Sequence, residues 1–272
     1  MLIRKTFEEG ETDGVTYGNG QLAIGGVRLN VYSYAEDGVL IDTGAHALRE
    51  SFLPFMKRQN PEQVRITHCH EDHTGCAAPL IQATGVPVYM DELYAEETRK
   101  RADYPLYRKL FWGKRPPFEA RPMPESFASR RGTWQVIPTP GHAKDHVSFL
   151  NTATGHLFTG DVYTQGRTKV VLKDENMPQL IESLTLLLTY DFKRVFCSHA
   201  GPLENGREAL RDKRDYLLEM QDTVRRKAEQ GKSIRQIRDE VIRKRYPITL
   251  FSGGEWDSMH LIRSLLEDEA IK

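Results

Sequence analysis

The chain predicts an α/β fold with a helical C-terminal extension. Three observations carry this. Short apolar runs such as Val39-Leu40-Ile41, Val64-Arg65-Ile66-Thr67 and Trp134-Gln135-Val136-Ile137 have strand length and each stops at a polar turn. Segments with helical apolar spacing lie between them. Beyond residue 203 the strand signals give way to long, charged, helix-period sequence.

Taken in order, residues 27–34 alternate, and Glu36-Asp37-Gly38 is a hairpin turn into Val39-Leu40-Ile41. Residues 45–59 read as a helix with Leu48, Phe52 and Phe55 on one face; Pro54 inside it is placed to bend or break it. Residues 74–83 form a second helix, ended by Gly85 and Pro87 before the strand Val88-Tyr89-Met90. Asp91 caps a third helix running to about Arg101. Residues 146–151 and 155–158 make a hairpin, and 176–190 a helix with Pro178 in its first turn.

Two regions stand apart from this scaffold. Residues 103–126 hold Tyr104, Tyr107, Phe111, Trp112, Phe118, five prolines and several Arg and Lys residues. They read as an irregular basic-aromatic insert, either a lid over a pocket or a packed surface loop or dimer contact. Residues 203–229 read as a charged helix with Leu210, Leu217, Leu218 and Met220 as its apolar residues. Gly231 stops it, Ser233 caps a helix over 234–242 that Pro247 ends, and Ser252-Gly253-Gly254-Glu255 opens a last helix through Leu266. The expected division is a catalytic unit over 1–202 and a helical module over 203–272. The tail's many Arg and Lys residues are interleaved with Asp and Glu, which predicts solvated helix faces rather than a nucleic-acid surface.

Composition narrows the class. The 272 residues carry 38 basic and 38 acidic side chains, so no polyanionic partner is demanded. Three cysteines, Cys69, Cys76 and Cys197, read as reduced thiols of a cytoplasmic protein. The N-terminal Met1-Leu2-Ile3-Arg4-Lys5-Thr6-Phe7-Glu8-Glu9 turns acidic too early for a signal peptide, and no apolar run has the ~20 residues needed to span a bilayer.

The chemistry concentrates in Thr67-His68-Cys69-His70-Glu71-Asp72-His73, with three histidines and two carboxylates. Imidazole with carboxylate suits Zn(II), Fe(II) or Mn(II). On extended backbone, residues two apart point the same way, so His68 and His70 face one ion while Cys69 faces away. Asp72 and His73 approach from the following turn. Three later strand ends add His142 in Thr139-Pro140-Gly141-His142, Asp161 in Thr159-Gly160-Asp161, and His199 in Phe196-Cys197-Ser198-His199. Strand C-termini are where α/β proteins gather functional groups. The seven candidate ligands suit two metals sharing one carboxylate.

The series HxHxDH, a Gly-His turn, an Asp after Gly and a final His resembles the metallo-β-lactamase superfamily of metallohydrolases. The strand-turn Val39-Leu40-Ile41-Asp42-Thr43-Gly44 belongs to the same likeness, which runs from about residue 20 to 200. The resemblance implies an αββα four-layer sandwich with a helical C-terminal extension. It implies that His68, His70 and His142 hold one ion, Asp72, His73 and His199 a second, and that Asp161 bridges them. Zinc is the first expectation for both ions, with iron or manganese compatible. A water shared by two such cations becomes a nucleophile near neutral pH. Asp72 would orient it or carry its proton, and Tyr163 would donate a proton or pack behind the site. His146 is expected to support the ligands, and His46, His156 and His260 carry no assigned role.

Within that superfamily the leading expectation is hydrolysis of a small ester, thioester or lactone, as in glyoxalase II-like and lactonase-like relatives. The tail lacks the usual glutathione-binding pattern, and Tyr163 lies one residue closer to Asp161 than the lactonase tyrosine. The alternative is a phosphodiesterase or endoribonuclease of the same fold, suggested by Thr139-Pro140-Gly141-His142-Ala143-Lys144-Asp145-His146 and the long helix after His199. Against it, the last ligand stands in Ser198-His199-Ala200-Gly201-Pro202 rather than Gly-His-Gly. The expected partner is a small-molecule substrate; oligomeric state is left open.

Overall fold

The structure is a computed structural model and describes residues 3–267. Met1 and Leu2 of the acidic N-terminal stretch, and residues 268–272 of the expected C-terminal module, lie outside the described residues. The first half runs through β1 (Arg4–Thr12), β2 (Val15–Ile24), β3 (Val27–Glu36), β4 (Val39–Ile41), α1 (Arg49–Arg58), β5 (Gln63–Arg65), α2 (Glu71–Thr74), α3 (Ala77–Thr84), β6 (Val88–Met90), α4 (Glu92–Thr98), α5 (Leu106–Trp112) and β7 (Arg121–Pro122). These strands form one sheet in sequence order, antiparallel from β1 to β4 and parallel from β4 to β7.

The second half contains β8 (Ser126–Ala128), β9 (Thr133–Pro138), β10 (Val147–Asn151), β11 (His156–Phe158), β12 (Val171–Leu172), α6 (Met177–Leu187), β13 (Arg194–Cys197), β14 (Gly201–Leu203), α7 (Gly206–Glu229), α8 (Ile234–Val241), α9 (Pro247–Phe251), β15 (Trp256–Asp257) and α10 (Ser258–Leu266). Its main sheet has the order β14-β13-β11-β10-β9-β8, and β12 pairs separately with β15.

Three apolar clusters explain the layering. Val15, Tyr34, Val39 and Ile41 of the first sheet meet Phe127, Trp134, Phe149, Phe158 and Phe196 of the second. Each such buried aromatic contributes about 1.5–3 kcal/mol. Phe52, Phe55, Leu80 and Phe111 cover the outer face of the first sheet. Leu184, Leu217, Ile237 and Leu261 cover that of the second. The order is helix, sheet, sheet, helix, so the four-layer sandwich with C-terminal helices is the observed architecture.

Several expected boundaries differ. Pro54 does not break α1; it is exposed, so the carbonyl it leaves without an amide partner can bond water. The helix expected over 74–83 is two pieces, because the His73 carbonyl is taken by the backbone N–H and hydroxyl of Thr43. Gly75 sits at that break, where a Cβ would lie 2.3 Å from the His46 nitrogen. Asp91 caps α4 through the Leu93 N–H, but the helix ends at Thr98.

The insert at 103–126 is more regular than expected. It forms α5 and then β7, an edge strand parallel to β6. In the tail, Ser233 caps α8 in a full capping box, but Pro247 begins α9 rather than ending α8. The last helix is capped by Asp257, not opened at Ser252. Leu218, counted among the apolar residues of α7, is 39% exposed; Val224 and Lys213 occupy the buried stripe instead.

Candidate metal centre

The two sheets are stitched together where their strands end. Val147 N–H donates to Thr67 O at 2.9 Å, Tyr32 N–H to Ser198 O at 2.8 Å, and Tyr34 OH to Cys197 O at 2.6 Å. The turns after β5, β9, β11 and β13 are therefore held against one another. They bring together all seven ligand candidates named from the sequence. Among the described residues, three groups could each hold a cation: His68, His70 and His142; His68, His73 and Asp161; and Asp72, His73 and His199.

The first group converges on one point. His68 Nε2 lies 3.0 Å from His70 Nδ1, which lies 3.1 Å from His142 Nε2. Thr67 Oγ1 gives its proton to the Asp42 carboxylate, so it accepts from His68 Nδ1 at 3.0 Å. His142 Nδ1 donates to Glu175 Oε2 at 3.2 Å. The inward Nε2 atoms of both rings thus converge on His70 Nδ1, a cluster of donor atoms that a cation would fit.

The second group carries orphaned polar atoms. His73 Nε2 and Asp161 Oδ1 are buried, make no hydrogen bond and face each other at 3.5 Å. Asp161 Oδ2 lies 2.9 Å from His199 Nε2 and 3.3 Å from His142 Nε2. Asp72 Oδ2 is 3.7 Å from Nε2 of both His73 and His199. His73 Nδ1 donates to Asp42 Oδ2 at 2.7 Å, and His199 Nδ1 donates to the Asn30 carbonyl. The donor set and its orphans fit divalent cations.

Electrostatics divide the histidines. Burial and the neighbouring His73 and His70 push His68 well below its ordinary value; burial and His142 do the same to His70. Both are neutral, the form that ligates. Burial also disfavours charge on His73, His142 and His199, but carboxylates outweigh it and raise all three. The partners are Asp42 and Asp161 for His73, Glu175 and Asp161 for His142, and Asp161 and Asp72 for His199. A cation there would replace protons that these imidazoles otherwise hold beside the carboxylates.

His146 is 1% exposed and fully engaged. Its Nε2 accepts from the Asp161 N–H at 2.9 Å, and its Nδ1 donates to Thr139 Oγ1 at 2.9 Å. Burial, then the nearby His142, lowers it to about 3. It positions Asp161 and has no nitrogen left for a metal. Gly160, at φ +50°, lets the chain pass this ring; a Cβ there would lie 2.4 Å from His146 Nε2. Tyr163 packs against the cluster that holds Leu184 and Leu217 and is not among the residues lining the cavities at the centre.

Sequence reasoning gave no ligand-supporting role to Asp42, Thr67, Glu175 or Asn30. Asp42 lay in a recognised strand-turn and could have been found from it. Glu175 had no motif around it, and Asn30 acts through its carbonyl, which no side-chain pattern reveals.

A cavity of about 250 Å³ opens on the centre at His70, Asp72, His142, Asp161 and His199. Tyr107, Arg108, Phe111 and Trp112 of α5 line it, with Leu29 and Leu172 from the sandwich and Trp256 from the tail. Arg108 holds Glu71 through two bonds of 2.6 Å and reaches Glu255 of the tail at 3.2 Å. The segment 103–126 is therefore tied both to the ligand-bearing turn and to the C-terminal helices.

A sequence profile described as the Metallo-beta-lactamase superfamily matches residues 29–199, a span that includes all seven ligand candidates. The chain is 25% identical over 225 residues to an atrochrysone carboxyl ACP thioesterase of Aspergillus fumigatus, covering 78% of this chain and 65% of that protein. It is 29% identical over 175 residues to a hydroxyacylglutathione hydrolase of Idiomarina loihiensis, covering 64% and 60%. The matches thus span less than two thirds of the length of either relative. A beta-lactamase domain protein from Burkholderia ambifaria superposes with a TM-score of 0.64 at 21% identity, covering 97% of this chain and 83% of that one. That likeness concerns the fold and extends over the C-terminal helices.

Proposed function

The chain belongs to the metallo-beta-lactamase superfamily, and on that premise we propose that it is a metal-dependent hydrolase of a small thioester, ester or lactone. The carrying observation is the convergence of His68 Nε2, His70 Nδ1 and His142 Nε2, beside the orphaned His73 Nε2 and Asp161 Oδ1. His68, His70 and His142 would hold one divalent ion, Asp72, His73 and His199 a second, and Asp161 both. Zinc leads, and iron and manganese suit the same donors. Ions bound there would supply an activated water near neutral pH and positive charge for the developing oxyanion.

The protein's own groups prepare that chemistry. Asp42, Thr67, Glu175 and the Asn30 carbonyl each hold a proton on an outer ring nitrogen, which keeps the inner Nε2 of His73, His68, His142 and His199 aimed inward. Asp72, at the cavity wall, is placed to take a proton at its carboxylate. A thiolate leaving group needs no protein acid. The aromatic side chains of α5 with Trp256 form an apolar wall that excludes water and receives an acyl chain, so the 103–126 segment acts as a lid. The names of the two relatives, a thioesterase and a hydroxyacylglutathione hydrolase, support the thioester arm. No helix among the described residues is long and apolar enough to cross a membrane. The three cysteines are free thiols, which supports a reducing, cytoplasmic setting.

The test is hydrolysis by metal-loaded protein of a thioester, a lactone, a phosphodiester and single-stranded RNA, with and without chelator. Chelator-sensitive turnover of the acyl substrates is expected. Turnover of RNA or the phosphodiester alone would overturn the reading in favour of a nuclease.

A further inference from the structure

The buried stripe of α7 contains one residue that does not belong to an apolar face. Leu210, Lys213 and Leu217 fall at i, i+3 and i+7, so Lys213 points into the core with the two leucines. It is 1% exposed. Its Nζ donates to the Gln165 carbonyl at 2.9 Å and to Thr168 Oγ1, both uncharged. An ammonium has three N–H groups, so these acceptors leave one donor unused and give the charge no ion-pair partner in direct contact. Burial lowers it to about 8, with Glu175 and Cys197 offsetting part of the effect, so it remains mostly charged at pH 7.

Lys213 lines a cavity of about 300 Å³ that also touches His142 and Asp161, and both acceptors of its Nζ, Gln165 and Thr168, lie on the same wall. Arg28 and Lys169, both exposed, lie on the same cavity. Most of the remaining wall is apolar, with Leu180 from the sandwich and Trp256 from the tail. Two carboxylates line it, and each is directed at the ligand histidines. Asp161 stands among the ligand histidines. Glu175 accepts from His142 Nδ1 and, through its other oxygen, from the Leu172 N–H at 2.7 Å. The cavity therefore sets three cations, one of them desolvated, against two carboxylates, and among the described residues neither carboxylate forms an ion pair with any of the three.

We propose that Lys213 determines specificity by binding a carboxylate carried on the substrate, away from the bond that His142 and Asp161 face. The assignment rests on the hydrolase reading for its catalytic consequence. The carboxylate belongs either to the acyl half or to the leaving half of the substrate, and the test separates them. A desolvated ammonium discriminates a carboxylate from its neutral isostere because a charged hydrogen bond is lost with the charge.

The first readout is binding to the metal-loaded full chain by calorimetry, comparing glutarate with glutaramate, which keeps one carboxylate and replaces the other by an amide. The native protein should prefer glutarate by roughly tenfold or more. Lys213→Met should abolish that preference. Lys213→Gln retains donors for Gln165 and Thr168 without the charge, so it should behave like Lys213→Met. Equal affinities in the native protein, or a preference that survives Lys213→Gln, would overturn the assignment.

The second readout is turnover. Glutaryl and pentanoyl thioesters of N-acetylcysteamine probe the acyl half. Acetyl thioesters of 3-mercaptopropionate and of N-acetylcysteamine probe the leaving half. One carboxylate-bearing member should show a KM that rises in Lys213→Gln while its neutral partner is unaffected. Turnover of all four without discrimination sinks the inference. Turnover of none, with glutarate preference retained, sinks the hydrolase reading and leaves the carboxylate site standing.

Discussion

Asp42 Oδ2 accepts a hydrogen bond from His73 Nδ1 at 2.7 Å, across 31 residues of chain. The same carboxylate accepts the Thr67 N–H at 2.8 Å and the Thr67 hydroxyl at 2.9 Å. One side chain at the end of β4 thus sets both the start of the ligand-bearing turn and the tautomer of His73. Its φ of +57° is unusual for a non-glycine residue and is one that Asn also tolerates.

Asp42→Asn should therefore keep the turn and weaken the hold on His73. Metal affinity is expected to fall about ten- to hundredfold, the range for loss of a ligand-orienting partner. Competition with a chromophoric chelator measures it. Unchanged affinity would show that His73 is oriented by packing alone.

Asp161→Ala and His146→Ala separate ligand from support. Asp161→Ala should lose bound metal and nearly all chelator-sensitive turnover while far-ultraviolet circular dichroism stays native. His146→Ala removes the acceptor of the Asp161 N–H and should cost roughly ten- to hundredfold, less than His142→Ala. Full activity and metal content in Asp161→Ala would refute the bridging role. A loss in His146→Ala as deep as in His142→Ala would make His146 a ligand.

The Glu71–Arg108 pair is expected to be a stability element. Glu71 is 3% and Arg108 15% exposed at the side chain. Burial raises the Glu71 carboxyl, and Arg108 offsets part of that rise. Arg108→Met leaves a buried carboxylate unpaired, a change that costs about 3–5 kcal/mol. The melting temperature should drop by on the order of 10 °C, since each kcal/mol shifts a domain of this size by a few degrees. The double variant Arg108→Met with Glu71→Gln should recover most of it; a single variant as stable as the native chain would show that the pair contributes little.

Asp145 gives a pH signature. Burial raises its carboxyl to about 6, and the backbone N–H groups of Asp145 and Cys69 offset only part of that. The folded state then binds the proton more tightly than the unfolded one. Its destabilising effect is absent below the unfolded value near 4, grows between about 4 and 6, and is full above 6. Asp145→Asn should raise stability at pH 7.5 by on the order of 2–3 kcal/mol and show no gain near pH 4. Denaturant melts at the two pH values decide it; equal gains at both would point to a packing effect.

The seven ligand candidates were legible because their residue types cluster in the turns that follow strands. His68 and His70 converge to 3.0 Å, but from a bend at residues 67–69 beyond β5 and not from the extended backbone expected there. His142, Asp161 and His199 follow β9, β11 and β13, which run in the same direction and so end at the same end of one sheet. The helices at 45–59 and 176–190 were legible from their apolar faces. What went wrong lay where a tertiary contact overrode the local signal. Thr43 took the His73 carbonyl and split a helix, and Pro54 sat harmlessly where its missing bond faced water. The 103–126 segment looked irregular because prolines hide a short edge strand whose only partner is β6.

By itself the sequence determined the candidate donors, their order and the sheet–helix layering, since these follow from residue type, period and turn chemistry. Only the tertiary structure decided what surrounds the donors. Asp42, Glu175 and the Asn30 carbonyl reach their histidines across long stretches of chain. Trp256 and Lys213 reach the cavities from the tail. Such contacts depend on how layers register in space, and a one-dimensional pattern encodes only which face of each element is buried.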